Sequence, residues 1–351
     1  MRRVFFWLAR CLFSKPTAET VSPGDAERIL VVRVDERVGN LVTMQSLLDA
    51  LHRGLPGAEV GLLASSRAAQ VADRLQGIHW LHKLDKRWFF KRHGLWRKKI
   101  SEVRSIGYQV ALDASAWHEF SHTHAALTYY SGAPVRIGFD RGAESGFHTI
   151  VVRPGPANEH ELAQRMRLLV PLGIEMEPPE LRSSMGAGHK GDWERWLLMK
   201  EAGRPRVGIW AGSRKQERRW PLDYYVELGK RLLSSGAGSL VALWGPGEES
   251  LRDELLSAIP HGLTATPMTS VDELAALMRG LDLVVTNDTG PMHLAVAVGT
   301  PTVCLFASGD PDRWGHPYSR VINLASPGSD IKEVEQASDA CRKLLSRTSS
   351  E

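Results

Sequence analysis

Cysteine is scarce in this chain: Cys11, Cys304 and Cys341 are the only three in 351 residues. Their spacing offers neither a disulfide framework nor a zinc-type ligand pair. Cys304, inside the apolar run TVCLFA, reads as a small buried hydrophobe. Long apolar runs are missing too, and none reaches the ~20 residues of a bilayer-spanning helix. No acidic cluster suggests a bound metal, and no low-complexity tract or short repeat is present. Neither sign of charge dominates, since 44 Lys and Arg against 40 Asp and Glu leave a net +4. That balance is compatible with nucleic acid, anionic lipid or phosphorylated substrates, and it selects none of them.

What is present suits a globular protein, with 43% hydrophobic and 24% charged residues. The length exceeds one ordinary core, so two domains are expected. In the first half, ILVVRV (29–34), AEVGLLAS (58–65), QVALDAS (109–115) and VRIGF (135–139) read as buried strands. Amphipathic stretches near 41–54, 66–76, 121–131 and 160–172 lie among them. In the second half the strands are 206–212, 239–245, 283–288 and 302–307, with helices near 222–234, 247–258, 271–280 and 291–298. This alternation predicts an α/β protein of two doubly wound, Rossmann-like parallel sheets. The break falls at GIEMEPPELRSS, where paired prolines end a helix. The expected organisation is an N-terminal extension (1–26), a first domain (27–184), a second domain (185–330) and a closing helix with tail (331–351). Two such domains place a ligand site in the cleft between them, at the carboxyl ends of the strands.

The N-terminus, MRRVFFWLARCLFSK, has the Arg-first opening of a signal peptide, but Arg10 interrupts its apolar core and no small-residue cleavage site follows. Drawn as a helix, it gathers Val4, Leu8, Cys11 and Leu12 on one face, with Arg2, Arg3, Arg10 and Lys15 available to anionic head groups. That pattern suits an interfacial anchor, and equally an extra packing helix.

The most informative stretch is LVVTNDTGPMHLAVAVGTPTVCLFASGDPDRWGHP, Leu283 to Pro317. It reads as strand, polar turn, helix and strand. Asp288 and Thr289 stand at the helix entrance, Gly290 admits a ligand close to the backbone, and Pro291 suits the first helical position. Free amides in that first turn, with the helix dipole, form an anion site suited to a diphosphate. His293 lies one turn further in.

The whole string closely resembles the signature of glycosyltransferase family 9, the lipopolysaccharide heptosyltransferases. The resemblance implies a GT-B fold and an inverting, metal-independent glycosyltransferase that works without a cofactor. Its donor would be a nucleotide sugar, commonly ADP-heptose, bound by the second domain. Its acceptor would be an anionic glycolipid, the lipopolysaccharide core, bound by the first. Localisation would be cytoplasmic, peripheral on the inner face of the membrane, and no nucleic-acid partner is expected.

Further segments carry the same resemblance. In GSRKQERRWP, Arg218 takes the usual lysine position for contacting phosphate, and Ser213 is a candidate hydroxyl donor. In ALWGPGEES, Glu248 matches an acid that contacts ribose or base, and it could equally be a first-turn helix acid. Thr269 and Ser270 are placed to touch nucleotide, although Ser270 with Glu273 also spells a capping box. The first domain follows the family's opening strand, loop and helix in ILVVRVDERVGNLVTMQSLLDAL, which puts Gly39 and, at a strand end, Asp113 among the acceptor-binding candidates. His160 heads a helix there, in a ligand or a capping role.

An inverting transfer needs a base for the acceptor hydroxyl and a positive environment for the leaving diphosphate. Arg218 and the amides around Thr289 and Gly290 meet the second need. For the first, the family's Gly-Asp is here Gly39–Asn40, and an asparagine cannot take a proton at neutral pH. Asp35, in the same loop, is therefore the expected base, with Glu36 beside it. A family member that binds without transfer and a nucleotide-sugar epimerase on the same architecture are the competing readings. Finally, DKRWFFKRHGLWRKKI (85–100) interleaves basic and aromatic residues. It suits contact with a membrane surface or glycolipid, or a plainly solvated helix.

Overall fold

A computed structural model describes residues 26–141, 146–177, 180–199 and 204–348. The N-terminal anchor expected over 1–15 and the prolines at 178 and 179 lie outside the described residues. The chain divides into two compact units between Glu180 and Leu181.

The first unit holds six parallel strands: β1 (Arg28–Arg33), β2 (Glu59–Ser65), β3 (Trp80–Leu84), β4 (Val110–Asp113), β5 (Val135–Phe139) and β6 (Ile150–Val152). Their order across the sheet is β3-β2-β1-β4-β5-β6. The second unit repeats the plan with β7 (Arg206–Trp210), β8 (Ser239–Ala242), β9 (Leu263–Ala265), β10 (Leu283–Asn287), β11 (Thr302–Phe306) and β12 (Val321–Ala325). Its order is β12-β11-β10-β7-β8-β9. Both are doubly wound sheets. The interior strands are near-continuous buried runs, as expected where helices cover both faces. β1 buries five of its six residues and β7 all five.

The eight strands expected from apolar runs are the interior ones. The four unexpected strands, β3, β6, β9 and β12, are the two edges of each sheet. The reason is burial: an edge strand packs against one neighbour and tolerates polar residues. WLHKL in β3 and VINLA in β12 are only partly buried, and no residue of LTA in β9 is fully so.

In each sheet the chain leaves the centre in one direction and then returns to the other side. The reversal falls between β1 and β4 in the first unit, and between β7 and β10 in the second. Adjacent strands diverge outside their carboxyl ends at such a point, which opens a crevice for a ligand. Asp35 and Asp113 follow β1 and end β4, whose register pairs Val32 with Asp113. Ser213 and Asp288 follow β7 and β10, whose register pairs Trp210 with Thr286.

The closing helix, Lys332–Thr348, belongs to the second unit's core. Val334, Ala337, Cys341 and Leu344 pack with Val207, Val285 and Val303.

Candidate functional site

In the second unit, Asn287 organises the strand ends. Its Oδ1 accepts from Trp220 N at 2.9 Å and from the Tyr225 hydroxyl at 3.0 Å. Its Nδ2 donates to Ala211 O at 2.8 Å and Gly212 O at 3.2 Å. One fully buried amide thus ties the end of β10 to the 211–220 loop, which carries Ser213 and Arg218. The loop is also fixed from behind, where Trp220 Nε1 donates to Glu333 Oε2 at 2.9 Å. Sequence reasoning missed Asn287 because its partners lie 62 to 76 positions away.

Arg218 Nη1 lies 2.9 Å from Asp288 Oδ2, with side-chain exposures of 28% and 2%. Asp288 is therefore not a direct donor contact in this arrangement. Its buried carboxylate holds the guanidinium, and Arg218 is the group that faces solvent. Burial raises the pKa of Asp288, against the lowering influence of Arg218 and Lys215. A carboxylate held at that cost keeps the arginine in place.

Next to it, Thr289 adopts an extended N-cap conformation for the helix Gly290–Ala297, with Pro291 at its start. The Thr289 side chain makes no cap bond to the helix, and its hydroxyl turns back to Asn287 O at 3.3 Å. The first turn is thus left without a side-chain cap, and its positive dipole end is available to an anion. His293 is buried one turn in, 2.8 Å from His316. Glu248 Oε2 accepts from Gly245 N at 3.0 Å, and burial raises its pKa. Its carboxylate packs against Gly212, 2.0 Å from where a Cβ there would sit, so a side chain at 212 would displace Glu248. Ser213 is buried and accepts from Lys215 N at 3.3 Å. Thr269 is half-buried, and Ser270 and Glu273 form the capping box.

In the first unit, Asp35, the expected base, is held by its neighbours. Arg33 Nε lies 2.6 Å from Asp35 Oδ2, and Asn40 Nδ2 donates to the same oxygen at 3.2 Å. Arg37 N donates to Asp35 Oδ1 at 3.1 Å. Burial alone would raise the Asp35 pKa, but Arg33 and these hydrogen bonds outweigh it and hold the carboxylate below its ordinary value. Asp35 is ionised at neutral pH and a quarter exposed. Asn40, half-buried on the helix Val38–Val42, orients that carboxylate, and Gly39 beside it is buried.

His124 fixes the same loop, its Nε2 accepting from Val34 N at 3.0 Å. Burial lowers its pKa to about 4, so it is neutral. Glu36 is paired with Arg67 at 3.1 Å and Lys86 at 3.5 Å.

Asp113 corrects the expectation of an acceptor contact. It has no exposed surface. Its Oδ1 accepts from Ser115 Oγ at 2.6 Å, and its Oδ2 lies 3.2 Å from His148 Nε2 and 3.3 Å from Arg141 Nη2. Burial opposes ionisation, yet His148 and Arg141 hold its pKa far below the usual range. A carboxylate enclosed in this way is structural. His160 likewise caps its helix, accepting from Leu162 N at 3.3 Å.

The basic stretch forms the helices Trp88–Lys91 and His93–Ser105. Lys91, Arg92, Arg97 and Lys98 are exposed, whereas Trp96 turns inward against Tyr130, 5.2 Å between ring centroids. Among the described residues, no helix is long and apolar enough to cross a membrane. No group of three His, Cys, Asp or Glu among them could hold a metal ion.

The family model for glycosyltransferase family 9 (heptosyltransferase) matches residues 96–342. Lipopolysaccharide heptosyltransferase 2 of Escherichia coli K12 is 30% identical over 333 residues, 89% of this chain and 92% of that protein. Lipopolysaccharide heptosyltransferase 1 of Pseudomonas aeruginosa is 25% identical over 319 residues, 85% of this chain and 84% of its own length. Among solved structures, the E. coli ADP-heptose lps heptosyltransferase II superposes with a TM-score of 0.72 at 19% identity, covering 91% of this chain and 99% of that one.

Proposed function

Because this chain belongs to glycosyltransferase family 9, the heptosyltransferases, we propose that it moves heptose from ADP-heptose to a lipopolysaccharide core acceptor, with inversion and without a metal or cofactor. The observation that carries this reading is Arg218, held by buried Asp288 beside the uncapped first turn of Gly290–Ala297. An anionic leaving group would there meet a guanidinium and free helix-terminal charge together.

The donor site belongs to the second unit and the base to the first. As the acceptor oxygen bonds to the anomeric carbon, its proton passes to Asp35 and the bond to the diphosphate breaks. Arg218 and the helix amides take up the charge developing on ADP. An ionised carboxylate with a low pKa is a modest base, but it is always ready, and its demand falls late in the step as the hydroxyl acidifies. Ser213, Thr269, Glu248 and His293 complete the donor contacts. The relatives' names supply ADP-heptose and lipopolysaccharide. The epimerase reading is set aside by the family match, and Asn40 no longer argues for a binder without activity, because its amide serves Asp35.

The acceptor is a lipid, so the enzyme works at the cytoplasmic face of the membrane. The supporting feature is the segment Lys86 to Lys99, where Lys91, Arg92, Arg97 and Lys98 are exposed. Such a face gains about 1 kcal/mol per cation near an anionic bilayer and loses that gain at high salt. Sedimentation with phosphatidylglycerol vesicles at low and high salt checks this contact.

The function itself is tested by incubation with ADP-heptose and a heptose-free core acceptor. One heptosyl unit on the acceptor and one equivalent of ADP are expected. ADP released without glycosylated product would overturn the reading.

A further inference from the structure

The second unit contains a pair of buried imidazoles of which the transfer chemistry above uses only one. His293 Nδ1 and His316 Nε2 are 2.8 Å apart, with their rings perpendicular. Their exposures are 8% and 1%. Two ring nitrogens this close share one hydrogen: one donates and the other accepts, because two facing N–H groups would repel.

His316 is held in place by its surroundings. Its ring stacks on Tyr318 at 5.7 Å and 11°. The Arg320 guanidinium covers the Tyr318 ring at 4.8 Å, and the Tyr318 hydroxyl accepts from Leu181 N at 2.7 Å. The His316 carbonyl accepts from Asn323 Nδ2 at 3.1 Å. This column aims the His316 imidazole at His293.

We propose that His316 is a positioning residue for the donor: its Nε2–H donates to His293 Nδ1 and so fixes the hydrogen of His293 on Nε2, the nitrogen that serves the diphosphate. The inference rests on the second unit being the donor site. Its direction follows from the ligand. A diphosphate only accepts hydrogen bonds, so the imidazole nitrogen that meets it must carry hydrogen. In a neutral imidazole the other nitrogen is then an acceptor, and the hydrogen bond made there decides which tautomer exists. His316 supplies that bond from a buried position.

The test measures ADP binding by calorimetry, together with donor KM and kcat. His316→Phe keeps the stack on Tyr318 but removes the donating nitrogen. A loss of about tenfold in ADP affinity is expected, the size seen when a buried hydrogen-bonding group loses its partner. Donor KM should rise by a similar factor, with kcat changed less. His316→Gln, which returns an N–H at similar reach, should recover most of the loss. In a His293→Ala background, His316→Phe should cost nothing further. Unchanged ADP affinity in His316→Phe, or a second tenfold loss in the His293→Ala background, overturns the role. If His316→Phe does not fold, His316→Asn is too short to reach His293, and the same two outcomes decide. Failure of the wild-type protein to bind ADP would overturn the donor-site reading itself, whereas unchanged binding in the variants overturns the role of His316 alone.

Discussion

The two units share a fold plan and place polar groups at the same topological point, yet they treat carboxylates in opposite ways. At the β1/β4 switch, Asp35 and Asp113 are surrounded by Arg33, Arg141 and His148, and both pKa values are lowered. At the β7/β10 switch burial dominates and raises Asp288, as it does Glu248 in the loop after neighbouring β8. The first arrangement holds both carboxylates in their charged form. The second uses a carboxylate to hold an arginine that an incoming anion can share. Identical scaffolds thus acquire opposite electrostatic tasks through side chains in the loops after equivalent strands.

The strongest way to break this comparison is to remove the cation of the second unit. Arg218→Ala should lower kcat/KM about 10²- to 10³-fold, as the loss of one charge-stabilising donor does. It also leaves Asp288 buried without its partner, so the thermal midpoint should fall. Arg218→Lys should recover most of the activity, since a point charge still meets the diphosphate.

Next in size is Asn40→Asp. A second carboxylate about 3 Å from Asp35 disfavours ionisation of the pair and raises one pKa. The acid limb of the rate profile should move to higher pH, with a loss of about tenfold near pH 6 and recovery on the alkaline side. A rate above the wild type at every pH would instead make position 40 the natural site of the base.

Acid stability separates the units more gently. The His124 pKa is about 4 in the folded protein. The unfolded chain binds its proton near 6.5 and the folded chain does not, so stability is lost as pH falls from about 6.5 to 4, by about 3 kcal/mol. Asp35 and Asp113, with lowered pKa values, contribute stability present above about pH 4 and lost as pH falls through their folded values. Asp288 and Glu248 run the other way, because protonation relieves their burial. Hydrogen exchange at pH 7 and pH 5, corrected for intrinsic rates, should show β1 and β4 losing protection before β7 and β10. The smallest expected effect is that of EDTA, which should leave transfer unchanged, as checked by product formation with and without chelator.

Much of this was legible in the residues themselves. Interior strands announce themselves as apolar runs because both faces are covered, and edge strands do not. The segment Asp288 to His293 is legible as a helix entrance because its members are adjacent in sequence. Relations across the fold are not legible in that way. Asn287 meets Trp220 and Tyr225, and Arg33 reaches Ala114, only once parallel strands bring distant loops together. Asp113 shows the limit from the other side: its strand-end position was readable, but its complete enclosure by Ser115, Arg141 and His148 was not. Asn40 looked like a missing acid in the sequence. Its amide, 3.2 Å from Asp35, makes it the partner of the acid that remains.

The most direct test of this division of labour is single-turnover transfer by Asp35→Asn, with ADP-heptose affinity measured alongside. Donor affinity should stay within about twofold of the wild type, while the transfer rate falls about 10²- to 10⁴-fold, the range contributed by a general base. A variant that binds donor normally and still transfers at the wild-type rate would contradict the assignment of the base to Asp35.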